Sequence, residues 1–576
     1  MPFSKIVYLF LFLSITFNLN AQTNDIVEYS GVVRTKKTDN SGFALKKPDG
    51  GTYVLVYNYK REIQYINEFK SDMKLLKSTK IRATDDRIVS AALIDGKIRV
   101  FAVEIGRGRG KVLEVDFDKK KFVEVDDAAY DLDLKKKSMR KNYAKIDDNL
   151  NAVNEQIGIE DIDSSLFTFK SDNNNFTIIS TVNNFTKPGM TTFSKSKPRL
   201  NSTHTLIKLD EKLKVVSNQE ITLNSKGFRD FNVYNIDYFE ENDTYIFYGK
   251  GEKEKDKKRS KEERKLDGSR FETVFIVKGN EKPVMLQLQD YNDLLATSKA
   301  KIIGDTVTFA SISFTRAYED GEDIDMGMVI NNYSLSSLEK IGETITTKIT
   351  NSNLRPYVAG DASDEDINAF DFRTMEKSNG NWILAYHWYD VARESMKMVV
   401  GRDRNEVVSS MRHRGDLEIL VIDSANGNLL NEYKIEREIT ANKRDRIYNE
   451  GDYGNRERFQ YTKSGRYEYW NHGIFSQYKN EKFSFMVNAS TIKTDVKNGT
   501  LTYVNANTKS DKELLKSIPY LLTLDLENGF EYQPLLKSGT SLNGLMVDKM
   551  VQISESEFIT NTPKTKEKRY VKITLD

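Results

Sequence analysis

The four histidines, His204, His387, His413 and His472, are the first place to look for acid–base or metal chemistry. No pair of them has HxH or HExxH spacing, so a metal site would need side chains converging from distant parts of the chain. His387 lies between Tyr386 and Trp388 in an apolar run and reads as a packed strand residue. His413 and His472 fall in long polar segments and are the two worth following. The chain has no cysteine. That removes disulfides, thiolate zinc sites and thiol nucleophiles together. Neither a metal nor an organic cofactor is expected.

Arginine and the aromatic residues carry the stronger signal. Residues 436–472 hold Arg444, Arg446, Tyr448, Tyr453, Arg456, Arg458, Tyr461, Tyr467, Tyr469 and Trp470, and residues 389–416 hold Arg393, Arg402, Arg404, Arg412, His413 and Arg414. Guanidinium groups beside aromatic rings provide flat apolar area with directed donors, which suits sugars, carboxylates and peptides. The expected binding set is Arg402, Arg404, His413, Arg444, Tyr448, Tyr467, Trp470 and His472. Self-packing of these segments, tyrosine against arginine, is the plain alternative.

Other stretches lose their appeal on inspection. Glu319–Asp325 and Asp361–Asp366 gather carboxylates but lack the D-x-D-x-D-G order of a calcium loop. Gly106–Lys111 fits no phosphate-loop pattern and sits inside a hairpin. Lys250–Lys265 alternates sign, as a solvated segment does. Arg414-Gly415-Asp416 is a three-residue match of a kind frequent by chance. No linear catalytic motif is present.

Lys and Arg number 87 against 85 Asp and Glu, a net +2 over 576 residues. So even a balance argues against a dedicated nucleic-acid binder. Apolar residues reach 38%, against about 45–50% for globular domains when Gly is counted, and aromatics 11%, enough to build a core. Lys5 followed by Ile6–Leu13 and then Ala21 has the form of a secretory signal peptide, expected to span residues 1–21 with the mature chain starting at Gln22. The apolar run is too short to span a bilayer, and no later segment is long enough. Export to the periplasm or cell exterior is the expectation, with no membrane span in the mature chain.

The elements that must position these residues are mostly strands. Asp95-Gly96, Asn379-Gly380, Asn426-Gly427 and Asn528-Gly529 each separate two β-prone runs, as type I′ hairpins require, and Gly279-Asn280 and Gly304-Asp305 suit type II′. The runs recur in fours, for example Leu166–Lys170, Phe176–Val182, His204–Leu209 and Val215–Leu223. The final group, Met550–Ser554, Phe558–Thr560 and Tyr570–Leu575, lacks a fourth strand, while Ile26–Val33 is a spare one. The pattern predicts an all-β protein. It is a β-propeller of seven or eight four-stranded blades, closed by N- and C-terminal strands and formed by residues 22–576 as one domain. A single apolar stripe at 3–4 residue spacing, Met139 to Ile157, predicts one helical insertion at about 135–158.

In such blades the first-to-second and third-to-fourth connections share one face of the ring. The long segments 183–203, 250–272, 315–325, 389–416 and 489–519 are second-to-third connections. Residues 126–165, 347–368 and 436–472 are crossovers between groups. All are therefore expected on the opposite face, as loops suited to binding. The leading function is a non-catalytic binding or scaffolding protein for a protein or glycan ligand. The alternative is a propeller-type hydrolase or lyase, acting on glycans, with its carboxylates scattered along the chain.

Overall fold

The computed structural model describes residues 27–575, apart from segments at 35–39, 58–62, 83, 85, 105–108, 132–165, 171–175, 187–198, 224–227, 254–269, 289–292, 316–325, 350–369, 401–402, 440–474, 490, 496–498, 506–517, 536–543, 548–549, 555 and 563–566. The stripe at 135–158 lies outside the described residues.

Eight antiparallel blades are present. Blade 1 is Asn40–Lys46, Thr52–Tyr57, Ile63–Phe69 and Leu75–Lys80; blade 2 is Arg87–Ile94, Lys97–Glu104, Arg109–Asp116 and Lys121–Asp131. Blade 3 is Leu166–Lys170, Phe176–Thr186, Arg199–Leu209 and Val215–Thr222; blade 4 is Phe228–Phe239, Thr244–Lys253, Arg270–Lys278 and Val284–Gln287. Blade 5 is Asp293–Ile303, Thr306–Thr315, Met326–Ser334 and Lys340–Ile349; blade 6 is Phe370–Ser378, Asn381–Val400, Asp403–Asp423 and Leu429–Ile439. Blade 7 is Phe475–Lys479, Lys482–Ala489, Ile518–Asp525 and Gly529–Pro534; blade 8 is Val551–Gln552, Glu557–Asn561, Tyr570–Thr574 and, from the other end of the chain, Val27–Tyr29. First strands pack against the first strands of neighbouring blades. Fourth strands carry the exposed positions, as in Val215–Thr222. The first strand is thus innermost and the fourth outermost.

Each blade buries both faces against its neighbours, and the eight apolar clusters correspond to the eight interfaces of a closed ring. The cluster of Val54, Val56 and Phe69 with Ile553, Ile559 and Tyr570 joins blade 1 to blade 8. Closure is by Val27–Tyr29, as the spare N-terminal run predicts. Val27 pairs with Ile573, Glu28 with Lys572 and Tyr29 with Val571, and Val33–Arg34 adds a second short pairing to Glu567–Lys568. Side chains tighten the seam. Lys46 Nζ sits 2.5 Å from Glu557 Oε2, and Lys572 Nζ is 3.1 Å from Glu28 Oε2 and donates to the Ser71 carbonyl at 3.1 Å. Partial burial alone would raise the Glu557 carboxyl, but the hydrogen bonds from Lys46 and Ser554 bring it below its ordinary range.

Turn chemistry follows expectation at most sites. Asp95-Gly96 and Asn379-Gly380 have φ of 51° and 75°, and 49° and 77°, the type I′ signature. Asn480-Glu481, at 51° and 63°, is a third such turn without glycine. Asn426-Gly427 and Asn528-Gly529 differ from the type I′ expectation: only the glycine is left-handed. They belong to a longer turn between third and fourth strands. An aspartate opens it, with Asp210, Asp423 and Asp525 each accepting backbone N–H groups two residues on.

The left-handed position of that turn is Met73 in blade 1 and Leu213 in blade 3, at φ of 59° and 60°. Such a backbone costs about 1–2 kcal/mol. Both side chains are fully buried against the preceding blade, a gain of about 1.5–3 kcal/mol each, so burial wins. In blade 6 the same position is Gly427, where a Cβ would lie 2.4 Å from Ile345 Cγ2. There the backbone itself fills the space. Three residues beyond, Leu76, Val216 and Leu430 are extra residues in fourth strands, each a β-bulge exposed to solvent. Bulges on outermost strands disturb the free edge and oppose edge-to-edge pairing.

Removing residues 27–34 takes the fourth strand from blade 8 and uncovers the blade 8–blade 1 seam. The shortened chain should show a lower and broader thermal transition by circular dichroism. A transition unchanged in midpoint and width would contradict closure by this strand.

Candidate functional site

Antiparallel order places the second-to-third connections and the blade-to-blade crossovers at one end of every blade. The innermost strands are modified at that end. Single-residue bulges occur in the first strand at Gly42, Val89, Tyr234, Ala296 and Arg373, in blades 1, 2, 4, 5 and 6, near its start in all but blade 4, where the bulge is midway. A bulge bends its strand and re-aims a side chain, and bulges concentrate at barrel rims and beside functional sites. In blade 6 the bulged residue is the half-buried Arg373.

Blade 6 is also the most elaborated. Residues 389–416, expected as a loop, are strand. Asn381–Val400 and Asp403–Asp423 stay paired from Tyr389–Arg414 to Val400–Asp403, a two-stranded ribbon of about 40 Å at about 3.3 Å per residue. At its root the pairing shifts, with Trp388 facing the two residues Gly415 and Asp416. The outer edge is built up as well. Residues 489–519, the corresponding connection of blade 7, contain the hairpin Thr491–Asp495 and Thr500–Asn505. Its second strand pairs in parallel with Lys434–Ile439 of blade 6, giving a six-stranded sheet. Leu501 and Tyr503 secure it by burial against Ile435 and Phe485.

Just inside the ribbon root, Tyr386 and Glu418 face each other across paired strands, both fully buried, with the Tyr386 hydroxyl donating to Glu418 Oε2. Burial first, and then the Glu418 charge, push the Tyr386 phenol far above its ordinary range. Glu432 on the adjacent strand is raised by burial, partly offset by Lys434. The same end of other interfaces holds further buried polar groups. Glu272 lies in blade 4, and Asn488 in blade 7 exchanges two hydrogen bonds with the Leu545 backbone at 2.7 and 2.8 Å. His204 in blade 3 is fully buried with its ring 5.0 Å from that of Phe247 in blade 4. Polar groups within apolar interfaces fix how strands meet, because a mispaired arrangement would strand them.

Of the expected binding residues, Arg404 and His413 lie on the second ribbon strand, opposite Val399 and Asp390. Arg402, Arg444, Tyr448, Tyr467, Trp470 and His472 lie outside the described residues. The backbone leaving blade 6 at Ile439 emerges at the same end as the ribbon. Arg373, Glu418 and Glu272 are absent from the expected set. Their signal is a charged residue within an otherwise apolar strand, as in Leu417-Glu418-Ile419. Among the described residues no three His, Asp or Glu side chains form a group able to hold a metal, and no helix is long and apolar enough to cross a membrane.

No family model and no curated protein matches the chain. Among solved structures it is similar to the dihydro-heme d1 dehydrogenase NirN, at 9% identity and TM-score 0.34 over 89% of this chain and 74% of that one. It is also similar to the polysaccharide lyase Uly1, at 9% identity and TM-score 0.31 over 93% and 90%. A third is the α-L-arabinofuranosidase arb93a from Fusarium graminearum, at 9% identity and TM-score 0.26 over 72% and 94%. Likenesses this distant transfer no activity. The protein is an eight-bladed β-propeller on the strength of its own strand order and interfaces.

Burial holds the His204 imidazole down at about 3, against an ordinary 6.5. Unfolding lets it take up a proton, so the unfolded state binds more protons between these values, and stability falls as pH drops through that window. The slope is up to about 1.4 kcal/mol per pH unit. His204→Gln should remove this contribution. In urea titrations, the stability lost by the native chain between pH 6 and pH 5 should exceed that lost by the variant by about 1 kcal/mol. Parallel pH profiles would contradict a buried neutral His204.

Proposed function

We propose that this protein is exported, with its mature chain beginning at Gln22 outside the cytoplasm, and that it binds a protein or glycan ligand through its loop-bearing face. The observation that carries this reading is the asymmetry of the ring. The short-turn end of each blade is closed by tight turns, whereas the opposite end bears the long connections, the ribbon and the added hairpin. Blade 6 is the focus, and its crossover 436–472 supplies Arg444, Tyr448, Tyr467, Trp470 and His472 of the expected binding set. Rigid blades with connections of this length are a usual arrangement for recognition.

Hydrolysis or elimination on a glycan is the competing reading, and it needs two carboxylates across a cleft, about 5–10 Å apart. Among the described residues, the two fully buried acids at this end, Glu272 and Glu418, lie in different blades inside packed interfaces. That placement favours a structural use of both.

A panel of soluble polysaccharides, screened by affinity electrophoresis with the mature chain, tests the binding reading. Replacing Arg444, Tyr448, Tyr467 and Trp470 with Ala should abolish any retardation seen while leaving the circular dichroism spectrum intact. Retained binding by a folded variant would place the site elsewhere, and release of shortened oligosaccharides would establish catalysis instead.

A further inference from the structure

The outermost strands carry a repeated feature at the short-turn end, on the side of the ring away from the long connections. Leu76 of blade 1, Val216 of blade 3, Val284 of blade 4 and Ile341 of blade 5 are 47%, 69%, 42% and 45% exposed. Each is the first or second residue of its fourth strand. Each follows an exposed lysine by one or two residues: Lys74, Lys214, Lys282 and Lys340. In blade 2 the same place holds Lys119, Lys120 and Lys121, all exposed, and then the half-buried Phe122. Blades 1 to 5 thus form a continuous arc. Beyond it, Leu430 of blade 6 is 50% exposed, but the turns 424–428 and 526–528 of blades 6 and 7 contain no lysine or arginine.

Folding does not require these side chains. The bulges at Leu76 and Val216 disturb the strand edge whatever residue fills them, and lysine guards an edge better than an aliphatic group. An aliphatic side chain left in water gains nothing from burial. Single exposed apolar residues are ordinary on a protein surface, but here the same position is aliphatic, beside a lysine, in four blades.

We propose that this arc docks the ring onto an anionic lipid bilayer, with its aliphatic side chains among the headgroups and its lysines against the phosphates. The proposal is independent of any ligand on the loop-bearing face. Stacked sheets lie about 10 Å apart and the outer strands of a ring diverge further, so five blades span roughly 40 Å or more. A small ligand could touch one lysine–aliphatic pair only. A nucleic acid would use the lysines and leave the aliphatic groups in water. A protein partner is held through a continuous apolar core, whereas these contacts are separate. A bilayer is wide enough to meet all five blades and offers phosphate and hydrocarbon at each. Each of these turns also exposes one acid, Asp72, Asp118, Glu211, Glu281 or Glu339. Charge attraction is therefore strongest at blades 1 and 2, and the aliphatic contacts must add to it. Lys119 pairs with Asp116 at 3.2 Å yet keeps 67% of its side chain exposed, a surface pair of a kind that contributes little and leaves the ammonium open to phosphate. Docked this way, the ring presents its loop-bearing face away from the lipid.

Sedimentation of the full mature chain with vesicles tests the proposal, using phosphatidylcholine alone and phosphatidylcholine mixed in equal parts with phosphatidylglycerol. The native chain should bind the mixed vesicles, less tightly as salt rises, and leave the neutral ones unbound. Replacing Leu76, Val216, Val284 and Ile341 with Thr should weaken binding about tenfold or more while the salt dependence stays. Replacing Lys74, Lys119, Lys214, Lys282 and Lys340 with Gln should weaken it about as much and flatten the salt dependence. These side chains are exposed, so both variants should keep the native thermal transition. Failure to bind the mixed vesicles, equal binding to neutral vesicles, or native affinity in either folded variant would overturn the proposal. Polysaccharide retardation should be the same in both variants and the native chain, so the lipid reading and the loop-face reading stand or fall separately.

Discussion

The pairing of Val27–Tyr29 with Val571–Ile573 is the constraint on which the rest depends. Ser30 and Tyr570, 540 residues apart, continue the ladder by exchanging hydrogen bonds. This one strand turns a row of blades, each with two sticky faces, into a ring whose every face is covered. Without this N-terminal segment, the apolar clusters on the two sides of blade 8 would lose Val27 and Val33 beside an open sheet edge. Loop-closure entropy grows only slowly with separation, so even this longest of contacts can be held by a short ladder, the Lys46–Glu557 pair and the contacts of Lys572. Antiparallel order already puts the long connections of each blade at one end, and the ring brings those ends together on one face.

Within the ring, two devices recur for different reasons. At the short-turn end, an aspartate and a left-handed residue shape the turn between third and fourth strands, and Met73 or Leu213 locks it to the preceding blade. Here sequence variation is confined by packing, and Gly427 appears where Ile345 leaves no room for a side chain. At the opposite end the first strands bulge, and polar groups such as His204, Asn488 and the Tyr386–Glu418 pair hold the interfaces. Blade 6 departs most from the common plan. Among the described residues it has the longest strands, with a borrowed hairpin on its edge and a two-stranded ribbon beyond its end.

The propeller was legible because turn dipeptides such as Asp95-Gly96 and Asn379-Gly380 punctuate β-prone runs in groups of four, and because the last group is one strand short. The first strand of blade 1, Asn40–Lys46, was not, since Asn40-Ser41-Gly42 has none of the apolar alternation of a strand and Gly42 is a bulge against Tyr57. The ribbon passed for a loop because half its positions are charged or small. The burial of His204 depends on Phe247 in the next blade, and no local pattern reports such a contact. Arg404 and His413 stand out by composition, but only the register shows that they lie opposite Val399 and Asp390.

Hydrogen–deuterium exchange of the mature chain with and without a soluble polysaccharide that retards it in affinity electrophoresis tests most directly the claim that recognition belongs to the loop-bearing face of blade 6. Slowed exchange should map to 389–414 and to the paired segments 434–439 and 500–505, with the turns near 72–76 and 210–216 on the opposite face unchanged. Protection confined to those turns, with the ribbon unaffected, would contradict it.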